Sequence, residues 1–281
     1  MTNAFSRLLA FPFAIALIIA FSMGGFDFSG PKTIVVMICL IALMLIYVFN
    51  RQLDIWWWKR RPPTLDRPLK TWMAAHSKYY QELDNETRDK FEKRLATFIN
   101  VKNFTLKAER DYQLEEDVKA ILAHEYIRLT LHRDDYLFKD IEQFVLYNHP
   151  FGTPDKQYLH TIEVNNEEGV VILSKEQLVN GFLQPTGFVN VGMLSAVMAF
   201  IKMHPRLNYP EVSSLDAQDI ADAHGINLSV IYTALGEARM NNLDLLTFCY
   251  ILHPHRTESF DPERYKRLED IFGLDGSIIY I

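Results

Sequence analysis

Cysteine is scarce in this chain. Cys39 lies in an apolar run and Cys249 in a hydrophobic helical stretch, so no disulfide framework can be built, which fits a reducing compartment. Phosphate loops, dinucleotide fingerprints and Cys/His zinc-finger spacings are absent. So are repeats and low-complexity tracts. Basic charge is short over most of the length. The whole chain carries 29 Lys+Arg against 35 Asp+Glu, a net −6. Residues 1–70 hold 8 basic and 3 acidic residues, leaving 21 basic and 32 acidic residues, a net −11, for the remainder. An acidic body excludes nucleic acid as a partner, because phosphates need a basic face.

What the N-terminal part has instead is uncharged apolar sequence. Residues 8–23 read LLAFPFAIALIIAFSM and residues 33–49 read TIVVMICLIALMLIYVF. A membrane-spanning helix needs ~20 residues, within about 17–25. The second run meets this directly, and the first does so from residue 4, with Pro12 tolerated near one end. GGFDFSGPK between them reads as a tight turn, so two spans (about 4–23 and 33–49) form a transmembrane hairpin within residues 1–50. A cleaved signal peptide is the alternative for the first run, with Arg7 as its basic end and Ala20-Phe21-Ser22 as its cleavage site. Arg51, Lys59, Arg60 and Arg61 follow the second span, and the turn has only Lys32. The positive-inside rule then places both ends in the cytoplasm. Trp56, Trp57 and Trp58, with Lys59, Arg60 and Arg61, form a membrane-interface belt or, equally well, pack on the soluble body. Residues 51–69, with Pro62 and Pro63, read as a stiff linker.

From residue 70 to 281 the pattern is globular. Phe91, Leu95, Phe98 and Ile99 share one helical face behind a cap at Asn85. Residues 113–131 form another helix. Residues 144–147, 158–164 and 170–173 are rich in β-branched and aromatic residues, with a turn at 165–169. Helical patterns then return. The expected class is α+β: helices, a small, mainly antiparallel sheet, then helices. Residues 216–239 have a helix–turn–helix rhythm around Gly225, but their acidic first half speaks against DNA.

The stretch AHEYIRLTLH (123–132) carries the His and Glu of the zinc-protease signature H-E-x-x-H, with Arg128 where the second His belongs. Successive helical residues turn by about 100°, which turns His124 away from the face of Val118, Ile121 and Leu129 and brings Glu125 near its middle. No two of the nine histidines are four apart. The stretch is therefore a coincidence that leaves Glu125 needing a partner, for which Arg94 and Arg128 are candidates.

Several stretches in order resemble the MtfA-like zinc peptidases, also called glucose-regulated metallopeptidases. They are FEKRLATFINVKNF (91–104), VKAILAHEYIRLTL (118–131), YNHPF (147–151), GVVILS (169–174), Gly181-Phe182, Asn190-Val191 and, more weakly, YKRLEDIFGLD (265–275). The resemblance implies a zincin-like fold for residues 70–281 and a bacterial origin. In that family Asn-Val leads into H-E-F-A-H. Here those positions hold Leu194, Ser195 and Met198, and the third ligand position falls near Phe248. Leu offers zinc no donor, Met suits softer metals, and Ser195 alone is no general base. The expectation is therefore no catalytic residue, no metal and no cofactor, in a degenerate member that binds or scaffolds at the cytoplasmic face of a bacterial inner membrane. Two rivals stand beside it. One is an active hydrolase with a relocated metal site at His253 and His255, and the other is a structural subunit of a larger membrane complex. The candidate peptide-binding edge is Thr161, Ile162, Glu163 and Val164, by strand addition.

Overall fold

A computed structural model of the chain describes residues 5–22, 30–107, 114–152, 158–237 and 239–273. The turn expected between the apolar runs lies almost entirely outside the described residues. The chain divides into two compact units, Met1–Pro63 and Thr64–Ile281.

The first unit is three helices: α1 (Phe5–Ser22), α2 (Pro31–Val48) and α3 (Asn50–Arg60). Uncharged runs of Leu, Ile, Phe and Ala hydrogen-bond their backbone within the segment and leave their side chains outside, so Leu8 is 67% and Met44 66% exposed. Pro31 opens α2 where its missing N–H costs nothing. α1 is long and apolar enough to cross a membrane. The second apolar run passes the same test only together with α3, from which it is bent by 71°. The segment read as a linker therefore begins as a helix, and that helix folds back on α1. Asp54 accepts from the Ser6 N–H at 2.7 Å and from its hydroxyl at 3.0 Å, capping the first turn of α1 from another helix. Phe5 stacks on Trp57, with ring centres 4.2 Å apart. Arg60 lies over Trp56 and Arg61 over Trp57. Trp56 is exposed, while Trp57 and Trp58 are half-buried.

The second unit opens with α4 (Arg67–His76), α5 (Lys78–Glu82), α6 (Asn85–Val101), β1 (Asn103–Lys107) and α7 (Glu116–Thr130). It continues with β2 (Gln143–Tyr147), β3 (Ile162–Asn165), β4 (Val170–Ser174), α8 (Lys175–Leu183) and α9 (Val191–Met203). It closes with α10 (Ala217–His224), α11 (Leu228–Leu235), α12 (Asn242–Leu252), α13 (Pro254–Phe260) and α14 (Pro262–Phe272). The cap of α6 is Asp84, one residue before the expected Asn85. Its carboxylate accepts from the N–H groups of Glu86 and Thr87.

The sheet has the order β1-β2-β4-β3. β1 pairs with β2 and β2 with β4 in parallel, and only β3 and β4 are antiparallel. The expectation of a mainly antiparallel sheet is thus corrected, and β1 is a strand over residues to which the periodicity assigns no element. Strand composition carries no direction. Parallel neighbours need a long crossover, and α7 supplies it between β1 and β2. Only the short β3–β4 connection had to be a hairpin.

α7 runs through the middle of this unit. It packs on α4, α6, α8 and α9, and every residue from Ala120 to Thr130 is buried. Tyr126, Phe98, Phe138 and Phe144 form one aromatic cluster beneath the sheet. The expected polar side of α7 at His124 does not exist: His124 and Glu125 are each 1% exposed. One helix face was readable from spacing, but four surrounding helices cover the others.

Candidate functional site

α9 carries the positions that the resemblance singled out. Asn190 caps it by accepting from the Met193 N–H at 2.9 Å. Eight apolar or small residues in its first nine leave no polar face. Leu194, Ser195, Ala196 and Val197 are fully buried, and Met198 is half-buried. Ser195 donates to the Gly192 carbonyl at 2.7 Å and accepts from the Tyr126 hydroxyl at 3.1 Å. Its hydroxyl is committed in both directions, and burial raises the pKa of the Tyr126 phenol above its ordinary value. α12 packs on α9, and Phe248 on α12 is only 2% exposed.

This donor set does not fit zinc. Tetrahedral zinc wants imidazole, thiolate or carboxylate ligands. The four positions offer a branched alkyl group, an occupied hydroxyl, a thioether and a phenyl ring. Among the described residues no three His, Cys, Asp or Glu side chains are gathered where they would hold a metal ion.

Beside the start of α9 lies the His-Glu pair of the false signature. His124 Nδ1 is 3.1 Å from a Glu125 oxygen, and His124 Nε2 is 2.8 Å from the Ser77 hydroxyl. Rings of Tyr79, Phe91 and Phe182 close around the imidazole edge-on. Glu125 packs closely on Gly192: a Cβ there would stand 3.1 Å from Glu125 Cγ and 2.8 Å from Leu178 Cδ1. Burial by itself would raise the Glu125 pKa. Charge and hydrogen bonding from His124, then Arg128 and Asn190, more than offset it and hold the carboxyl below its usual range. Arg128 is thus one of the expected partners. Arg94 is not, because it donates to the carbonyls of Thr130 and Leu131. Ser77 was missed by reasoning along the sequence. Its one local signal is as the cap of α5, where it accepts from Tyr80 N–H.

The remaining candidates are scattered. His253 closes α12 and opens α13, while His255 is exposed, 3.9 Å from Glu258. His255 lines a shallow hollow of ≈ 410 Å³ with Ala223, Arg256, Ser259 and Phe260. His204 pairs at 3.1 Å with Asp135 rather than with either of them. β3, holding Ile162, Glu163 and Val164, is an edge strand, with Thr161 just before it. Two of its backbone groups are already engaged: Thr161 N–H donates to the Ala234 carbonyl at 2.8 Å, and the Val164 carbonyl accepts from Lys202 at 2.9 Å.

The second unit is thus a helix-rich α+β domain with a small mixed sheet, and its helix α9 is entered through Asn190-Val191. Residues 54–194, half of the chain, match the family described as glucose-regulated metallo-peptidase M90, and the chain belongs to that family. The matched stretch ends at Leu194, inside α9. No curated protein matches the chain.

Proposed function

We propose that this protein is a membrane-anchored metallopeptidase-family domain with a closed zinc site, acting as a binding or regulatory module at the bacterial inner membrane. The observation that carries the reading is the state of Ser195. It takes the place of the catalytic Glu, is fully buried, and has both hydrogen-bonding directions used by Tyr126 and Gly192. Leu194 and Phe248 fill neighbouring core positions where the family's ligands would stand.

In this reading α1 and the α2–α3 pair form a two-span anchor with the body on the cytoplasmic side, supported by Arg51, Lys59, Arg60 and Arg61 after the second apolar run. The Asp54 cap on Ser6 favours a retained α1 over a cleaved leader. The partner is a protein or peptide. Strand addition at β3 would require displacing Ala234 and Lys202 from Thr161 and Val164.

The test is elemental analysis of the full-length protein in detergent, with peptide cleavage measured before and after chelator. The expected outcome is no stoichiometric zinc and no chelator-sensitive cleavage. One zinc per chain with chelator-sensitive cleavage would overturn the proposal and send attention to His253 and His255.

A further inference from the structure

Ser77, His124 and Glu125 stand in a line that the closed zinc site does not use. The Ser77 hydroxyl is 2.8 Å from His124 Nε2, and His124 Nδ1 is 3.1 Å from Glu125 Oε1. Hydroxyl, imidazole and carboxylate thus follow one another through the correct ring nitrogens. A serine is activated by such an arrangement: the base accepts its proton, and the carboxylate orients the base and stabilises the imidazolium.

A purely structural role accounts poorly for this line. The Ser77 hydroxyl already caps α5 through Tyr80 N–H and needs no imidazole to do so. Burying an ionisable pair costs several kcal/mol before their attraction offsets it, and apolar residues of the same size serve a core at least as well. The chain nonetheless keeps both groups at 1% exposure and leaves residue 192 without a Cβ to make room for the carboxylate. Ser77 itself is close to the surface. It is 4% exposed and stands between the exposed residues His76 and Lys78. The imidazole is covered by Phe182, which is half-exposed and stacks on the half-exposed Trp72.

The geometry points to Ser77 as a nucleophile for acyl transfer, with His124 as its base and Glu125 as the positioning carboxylate. The substrate class is an ester with an apolar acyl group, because the cover that a substrate would meet over the imidazole is apolar, Phe182 stacked on Trp72. The Ser77 oxygen attacks the ester carbonyl while its proton passes to His124 Nε2. The bond from the acyl carbon to the alkoxy oxygen breaks, and the alcohol leaves with that proton. Water then attacks the acyl-Ser77 ester, gives its proton to His124, and releases the acid as the proton returns to Ser77. Glu125 stays ionised throughout. The step needs no metal and does not depend on the binding role proposed above.

The experiment is labelling of the full-length protein in detergent with an alkyl fluorophosphonate, which phosphonylates a serine and expels fluoride. The adduct is located by peptide mass spectrometry. The expected result is one adduct, on Ser77, forming at least about a hundredfold more slowly in His124→Gln, the lower end of what a general base contributes. Phe182→Ala should speed it by opening the cover. No adduct on Ser77 of the unaltered protein, or an unchanged rate in a folded His124→Gln variant, would overturn the assignment and leave a structural relay only. The unaltered protein decides the matter even if a variant fails to fold.

Discussion

Tyr126 on α7 donates to the Oγ of Ser195 on α9 across 3.1 Å and 69 positions of sequence. Both side chains are fully buried. The contact ties the central helix to α9.

Removing either partner should therefore cost stability. Ser195→Ala leaves the Tyr126 hydroxyl buried and unpaired, a loss of about 1–3 kcal/mol, and Tyr126→Phe should cost about as much. A double-mutant cycle by denaturant unfolding should give a coupling energy on the order of 1 kcal/mol. Additive costs would mean that the hydrogen bond contributes nothing.

On the proposed closed-site reading, placing the family's ligand types on α9 should not create a zinc site. Leu194→His, Ser195→Glu and Met198→His together place ionisable groups at two fully buried positions and one half-buried one, with Phe248 still offering no third donor. The triple variant should melt lower than the parent and bind zinc at well below one ion per chain by elemental analysis. Tight stoichiometric binding would mean that the old site is only masked.

Gly192→Ala tests the fit of α9 against α7. The added methyl would stand 2.8 Å from Leu178 Cδ1 and 3.1 Å from Glu125 Cγ, and such overpacking costs about 1–3 kcal/mol. Gly181→Ala should be worse. Its methyl would run into the Val189 carbonyl, which is backbone and cannot swing aside. Thermal melts of the two variants would rank them.

Two carboxyls give opposite pH signatures. Glu125 is held below its usual value of 4.5, so its contribution to stability is present above that pH and lost as pH falls through the lower folded value. Glu125→Gln should remove this acid sensitivity. Asp244 on α12 is raised from 3.8 to about 6 by burial, with Lys202 opposing the shift. A raised carboxyl costs stability once ionised, so its penalty is absent below pH 3.8, grows as pH rises, and is complete above pH 6. Asp244→Asn should therefore stabilise by on the order of 3 kcal/mol at pH 8 and by nothing at pH 3.5. Equal effects at both pH values would show that folding does not shift the Asp244 carboxyl.

The helices were legible because their evidence is local. Phe91, Leu95 and Phe98 recur at helical spacing, Gly225 ends α10 in the left-handed region that glycine favours, and the uncharged run before Arg51 fixes an apolar helix. The β3–β4 hairpin was legible for the same reason, since a short turn, expected at 165–169 and closed by the Asn165–Val170 pair, joins two β-rich segments. The parallel pairing of β1, β2 and β4 was not, because strand direction depends on how the chain crosses over through α7.

The sequence by itself determined the apolar N-terminal part, the acidic body and the absence of a zinc donor in the side chains of Leu194 and Phe248. Side-chain identity alone decides whether an atom can bind zinc. Only the tertiary structure decided what the false signature does. Helical spacing turned His124 away from the packed face, yet α4, α6, α8 and α9 enclose it on all sides. Ser77, 47 positions away, becomes its hydrogen-bond partner only because α5 starts where α7 passes. Distances between such residues are set by packing, which no spacing along one chain segment encodes.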